Sequence, residues 1–164
     1  MLSFLATDMP EGDWGHFLDG ALPRWDRITI SGTSHGASTS GLIGVIRSTE
    51  RVVMLSGPSD NIGGVPAAWT RRTPLTPIER FVGFSHTADV QLPDHLRDFE
   101  AMGLPGAPTS VDGATAPFGG SARLTTSAES TDGHSSTKAG GTSPLNADGT
   151  FLFDPVWRFA YDVR

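Results

Sequence analysis

The chain has 164 residues, a net charge of −6 and no cysteine. That length suits one domain with a real core, while the missing cysteines exclude disulfides, thiolate catalysis and cysteine-ligated zinc. The negative charge, a single lysine (Lys138) and one adjacent basic pair (Arg71 and Arg72) leave no basic surface for nucleic acid or an anionic membrane. No apolar run approaches the length of a membrane-spanning helix, and the start, Met1 to Pro10, lacks the basic flank of a signal peptide.

In chain order, Glu11 to Leu22 carries Trp14, Phe17, Leu18 and Leu22 at helical spacing, with Pro23 as a stop. Arg27 to Ser31 reads as a strand, Gly32 to Gly36 as a tight turn, and Ala37 to Ile46 as a helix opening on small residues. Arg51 to Leu55 is an almost wholly apolar strand, as buried parallel strands are. The loop Ser56 to Arg72 is rich in Gly and Pro. A short turn at Pro77 to Glu79 leads into a strand from Arg80 to Phe84, and Asp94 to Met102 makes an amphipathic helix. Thr109 to Val111 and Ala122 to Thr126 predict a hairpin. Ser127 to Gly149 reads as irregular surface, and Phe151 to Val163 as an aromatic helix. The alternation implies a single α/β domain over residues 1–164, with at least three parallel strands flanked by helices.

The segment Gly32-Thr33-Ser34-His35-Gly36 fits G-x-S-x-G between a strand and a helix. A nucleophilic serine must project from a sharp, strained turn that leaves no room for side chains two positions away, which Gly32 and Gly36 satisfy. The turn also sets Ser34 at a helix N-terminus, where the dipole favours a developing oxyanion and the His35 N–H offers one donor.

Asp26 to Ala37 resembles the nucleophile elbow of the α/β-hydrolase superfamily, and the downstream layout is similar over nearly the whole chain. The resemblance implies a partial α/β-hydrolase fold with a mostly parallel sheet and a Ser, acid, His triad in that chain order. Its acid follows a later strand and its histidine lies in a loop near the C-terminus. Asp89 is the first choice of acid, Asp60 the alternative, and Asp112 a weaker rival in an Asp-Gly turn; His134 is the candidate base. His16 and His95 read as surface residues, and His86 as a structural hydrogen-bonding residue in the same turn as Asp89. The implied activity is that of a serine hydrolase acting on a small-molecule or extended ester, without cofactor or metal. The same triad also serves acyltransferases.

The resemblance departs at the front. Only about thirty residues precede the elbow, where the family has several strands and the loop that gives the second oxyanion donor. A fragment, or a short protein that self-associates through an exposed sheet edge, are the two expectations. A non-catalytic binding module with this fold is the alternative function. Gly57 to Pro77 is too short for a large lid, so an open site is expected, with Ala67, Ala68, Trp69 and Leu75 as candidate acyl-pocket residues.

Overall fold

The computed structural model describes residues 1–162; Val163, the end assigned to the last helix, lies outside them. Near the N-terminus the chain forms helix α1 (Leu2–Asp8), which the sequence pattern did not indicate. The helix expected over Glu11 to Leu22 does not form. In its place are 3-10 turns at Pro10–Gly12 and Trp14–Phe17 and a two-stranded ribbon of β1 (Leu18–Asp19) and β2 (Leu22–Pro23). Gly12, Gly15 and Gly20 interrupt the apolar spacing, and Asp13 and Gly20 adopt positive φ (48° and 59°), which breaks the helical ladder.

The central sheet begins with β3 (Thr29–Thr33), followed by α2 (His35–Ile46) and β4 (Arg51–Leu55). A small ribbon of β5 (Asn61–Ile62) and β6 (Val65–Pro66) then precedes β7 (Phe81–His86), α3 (Leu92–Met102), β8 (Thr109–Ser110), β9 (Arg123–Thr126) and α4 (Asp154–Tyr161). The five strands run in the order β3-β4-β7-β9-β8, all parallel. The protein is therefore an α/β domain on a parallel sheet.

Side chains alternate across that sheet, as the period of two in a strand requires. Val52, Met54 and Phe81 pack with Ala37 of α2 and with Phe99 and Met102 of α3. Val53, Leu55, Val82 and Phe84 pack on the other face with Val156 and Ala160 of α4. Both faces are covered, which is why β4 and β7 are nearly continuous apolar runs. Strand β3 forms one edge of the sheet and, among the described residues, pairs with β4 alone. No helix among the described residues is long and apolar enough to cross a membrane.

The predicted hairpin is corrected: β8 and β9 lie side by side but parallel, in register Thr109 to Leu124 and Ser110 to Thr125. The connection over residues 111–122 makes a crossover in place of a tight turn. Phe118 within it is 2% exposed and is buried in the α4-side core with Val111, so the connection is anchored to the sheet face.

Close helix-to-sheet approach depends on missing side chains. A Cβ at Gly83 would overlap the ring of Phe99, and one at Gly44 would strike Val52 and Phe81. Gly83→Ala is expected to destabilise the protein by about 1–3 kcal/mol through overpacking. Phe99→Ala is expected to cost about 3–5 kcal/mol through the cavity it leaves. Urea unfolding of both variants checks the pair, and an unchanged midpoint for Gly83→Ala would contradict the packing described.

Candidate active site

Three loops at the carboxyl end of the parallel sheet supply the candidate residues. Ser34 follows β3, Asp89 follows β7, and His134 lies in the long segment after β9. Crevices at the carboxyl ends of parallel strands are where open α/β sheets carry their ligands. Ser34, Asp89 and His134 line one cavity of about 400 Å³, together with Ala88, Val90, Gln91, Asp132 and Gly133.

The serine turn is strained as its proposed role needs. Ser34 has φ 58° and ψ −122°, a region rarely occupied by residues with side chains. The surroundings over-determine it: the Ser34 N–H donates to the Leu55 carbonyl at 2.9 Å, and the Ser34 carbonyl accepts from the Ala37 N–H at 2.8 Å. A Cβ on Gly32 would overlap the backbone of Gly36. Gly36 itself is not sterically required, since a Cβ there meets nothing within 4 Å. The expectation of two obligatory glycines is thus corrected to one, with Gly36 contributing its backbone to the contact. The N–H groups of His35 and Gly36, at the start of α2, have no hydrogen-bond partner among the described residues. Such groups at a helix start are open to water or to an anion.

Asp89 lies three residues past the end of β7, which runs on to His86 rather than stopping at Phe84. Its side chain is 1% exposed. One carboxylate oxygen, Oδ1, accepts from the Gln91 N–H at 2.9 Å; the other, Oδ2, is 2.7 Å from Nδ1 of His134. His134 Nδ1 is the donor in that pair, so Nε2 is the nitrogen left to act as a base. The imidazole is about one-third exposed at the cavity wall.

His86 organises this corner. Its Nε2 is 2.7 Å from the Ala128 carbonyl and must donate to it, while Nδ1 accepts from the Ala88 N–H at 2.9 Å. Both nitrogens are used in hydrogen bonds that hold the turn together. Gly133 packs against this turn so closely that a Cβ would come within 3.1 Å of His86 Nδ1 and the Ala88 carbonyl carbon.

The long segment after β9 is irregular but not wholly surface. Ser136 and Thr137 are fully buried. Thr137 shares a 2.8 Å hydrogen bond with Ser56, and its carbonyl accepts from the Trp157 indole at 2.8 Å. This ties the residues next to His134 to the end of β4 and to α4.

The other acids are committed elsewhere. Asp60 accepts from Ser38 Oγ at 2.6 Å and from Trp69 Nε1 at 2.9 Å, so its carboxylate bridges α2 to the loop and does not meet His134. Burial pushes the Asp112 carboxyl up, but hydrogen bonds from Thr126 and Ser127 outweigh it and hold the group below the usual range. That carboxylate bonds Thr126 Oγ1 and the Ser127 N–H and hydroxyl. The Trp69 ring packs against the core beneath α2, and neither it nor Leu75 lines the Ser34 cavity. Ala67 and Ala68 line a separate depression with Asp60, so the expected acyl pocket does not form.

His95 is the residue the sequence reading misplaced. Far from being on the surface, it is completely buried, with Nδ1 3.1 Å from Ser85 Oγ and 4.0 Å from Asp89 Oδ2. A signal was present. His95, Asp98, Phe99 and Met102 make the i, i+3, i+4, i+7 stripe that α3 buries. Among the described residues no cluster of three or more His or acidic side chains could hold a metal ion.

No protein-family model matches this chain, and no curated protein and no solved structure shows significant similarity to it.

Gly32→Ala forces the β3–α2 junction apart and is expected to cost at least about 3 kcal/mol, because the obstructing atoms are backbone. Gly36→Ala is expected to be neutral or stabilising by up to about 1 kcal/mol, since it sits in the first turn of a helix. Chemical denaturation distinguishes them, and equal losses would refute the asymmetry. Burial holds His95 down at about 4, against the nearby Asp89 charge that favours protonation. A depressed folded pKa contributes stability above the unfolded value near 6.5 that is lost as pH falls towards 4. Stability is therefore expected to decline over that window, and His95→Gln to flatten the decline in thermal melts taken from pH 7 to pH 4.

Proposed function

We propose that the protein is a serine hydrolase of the α/β-hydrolase type that acts on a carboxylic ester through an acyl-enzyme on Ser34. The observation that carries this reading is the 2.7 Å contact between His134 Nδ1 and a buried Asp89 oxygen, in the same cavity as a serine of strained backbone. An acid that orients one imidazole nitrogen leaves the other to accept a proton, which is the arrangement acyl transfer needs.

In the proposed reaction, Ser34 Oγ attacks the ester carbonyl while His134 Nε2 takes the hydroxyl proton. The Asp89 carboxylate keeps Nδ1 protonated and stabilises the imidazolium that forms. Negative charge gathers on the former carbonyl oxygen, where the His35 N–H and the N-terminal end of α2 favour it. His134 returns the proton to the departing alcohol. Water then repeats the sequence against the acyl-enzyme, releasing the acid and restoring Ser34.

The cavity also bears on the substrate. Asp132 at its rim is held below the usual carboxylate range by hydrogen bonds from Ser135, so it is anionic at neutral pH. Together with Asp89 it disfavours acidic ligands, and the open, mixed wall suits a small neutral ester. The parallel order of β3, β4, β7 and β9, with helices on both faces, supports the hydrolase-type architecture, and the short loop after β4 supports an open site without a large lid.

The test is covalent labelling of the purified chain by a fluorophosphonate, with the modified residue mapped by mass spectrometry. Labelling is expected at Ser34 and is expected to vanish in Ser34→Ala. Asp89→Asn is expected to slow it by about 10,000-fold, because the wrong imidazole tautomer is favoured. Absence of labelling in the folded wild type would overturn the reading in favour of a non-catalytic binding module.

A further inference from the structure

We infer that His95 is a positioning residue for Asp89, presenting a neutral Nδ1–H towards the same carboxylate oxygen that receives His134. The inference rests on the triad reading of this cavity, but its core is a statement about a tautomer that is measurable without turnover.

The geometry is the starting point. Asp89 Oδ2 is flanked by two imidazoles, with His134 Nδ1 at 2.7 Å and His95 Nδ1 at 4.0 Å. The two rings lie 6.4 Å apart, centroid to centroid, and are tilted by 45°. His95 Nδ1 is also 3.1 Å from Ser85 Oγ on β7. Its Nε2 is buried and has no hydrogen-bond partner.

Electrostatics chooses between the two neutral tautomers. With Nδ1 bare, the lone pair would accept from the Ser85 hydroxyl but face the carboxylate oxygen 4.0 Å away, and Nε2 would be a buried N–H without an acceptor. With Nδ1 protonated, the N–H donates to Ser85 and turns its positive end towards Asp89. The unpaired atom is then an acceptor, a lesser and more often tolerated cost than an orphaned donor. The second form turns a donor, not a lone pair, towards the carboxylate and leaves no ring N–H without an acceptor.

An imidazolium is disfavoured by burial, which holds the group at about 4. The charged or titratable groups around the ring are Asp89 and His134 from the loops and Asp94 on its own helix. Asp98, one turn further along the same face of α3, has its Oδ2 occupied by the Asp60 N–H. Of these, Asp89 is nearest in the site, and its charge needs compensation. With a side chain 1% exposed, the carboxylate has lost nearly all its water and, among the described residues, takes hydrogen bonds from the Gln91 N–H and the His134 N–H, with this dipole beside them. Fixing Oδ2 fixes the plane in which His134 is held. A shift of about 1 Å at such a site costs on the order of 100-fold in rate.

The experiment has two arms on the full chain. In the first, the side-chain nitrogens of the histidines are followed by two-bond proton–nitrogen NMR from pH 5 to pH 8. A neutral Nδ1–H tautomer for His95 throughout is expected. An Nε2–H tautomer, or an imidazolium in that range, would overturn the inference.

In the second arm, fluorophosphonate labelling rates of Ser34 are compared in His95→Asn and His95→Gln. Asn sets an amide nitrogen near the position of Nδ1, whereas Gln reaches towards Nε2. Asn is expected to stay within about threefold of wild type, while Gln falls by about tenfold or more. A residue needed only for packing would slow both variants alike, and that outcome would also overturn the inference. If wild type itself is never labelled, the hydrolase reading fails by its own test, while the NMR arm still decides whether His95 orients Asp89.

Discussion

The close approach between Gly32 and the backbone of Gly36 is the constraint from which the site follows. Because no Cβ stands between them, strand β3 can turn directly into α2, and Ser34 is forced into its strained conformation at the junction. The strain is sustained by neighbours rather than by the turn itself. The Leu55 carbonyl holds the Ser34 N–H, and a Cβ at Gly57 would press on the Ser34 carbonyl at 2.9 Å. The end of β4 therefore braces the serine, and the register of β3 with β4 becomes part of the site.

A second dependence is electrostatic. Asp89 is almost wholly out of water, and a buried carboxylate is tolerated only where donors surround it. Its donors come from two places, the Gln91 N–H of its own turn and His134 from the segment after β9, while the His95 ring on α3 lies 4.0 Å from one oxygen. The turn is in turn held by His86, whose two nitrogens join the Ala88 N–H to the Ala128 carbonyl. Hence the carboxylate is less an isolated residue than the meeting point of β7, α3 and the loop after β9.

Much of this could be read from the residues, and the exceptions have physical causes. The sharp turn at Ser34 was legible because Gly32, set between an apolar strand and a small-residue helix, leaves room for the backbone of Gly36. Asp89 stood out because it follows a strand whose apolar run marks burial on both faces. Its pairing with His134, forty-five residues on, has no local signature; chain order alone suggested it. Asp60 was a fair rival until the structure showed its oxygens taken by Ser38 and Trp69. The failures lie where tertiary context overrides local pattern. Two short strands separated by Gly and Pro read as a hairpin, but burial of Phe118 turns the connection into a crossover. Likewise the apolar spacing before Pro23 was defeated by three glycines. His95 was discounted as polar and near a helix start, although its partners at i+3, i+4 and i+7 lie on the buried stripe.

Thr137 stands three positions after His134 and is clamped on both sides, by the Ser56 hydroxyl and by the Trp157 indole. The last helix is itself tethered to the sheet, since the Arg51 guanidinium donates to the carbonyls of Phe159 and Ala160. The proposed base is thus mounted on a loop whose far anchor is the final secondary-structure element of the described chain. The position of His134 is thereby coupled to the docking of that helix on the sheet. Without that helix, Thr137 lacks its Trp157 partner, and the loop that carries His134 is held to the sheet by the Ser56 hydroxyl.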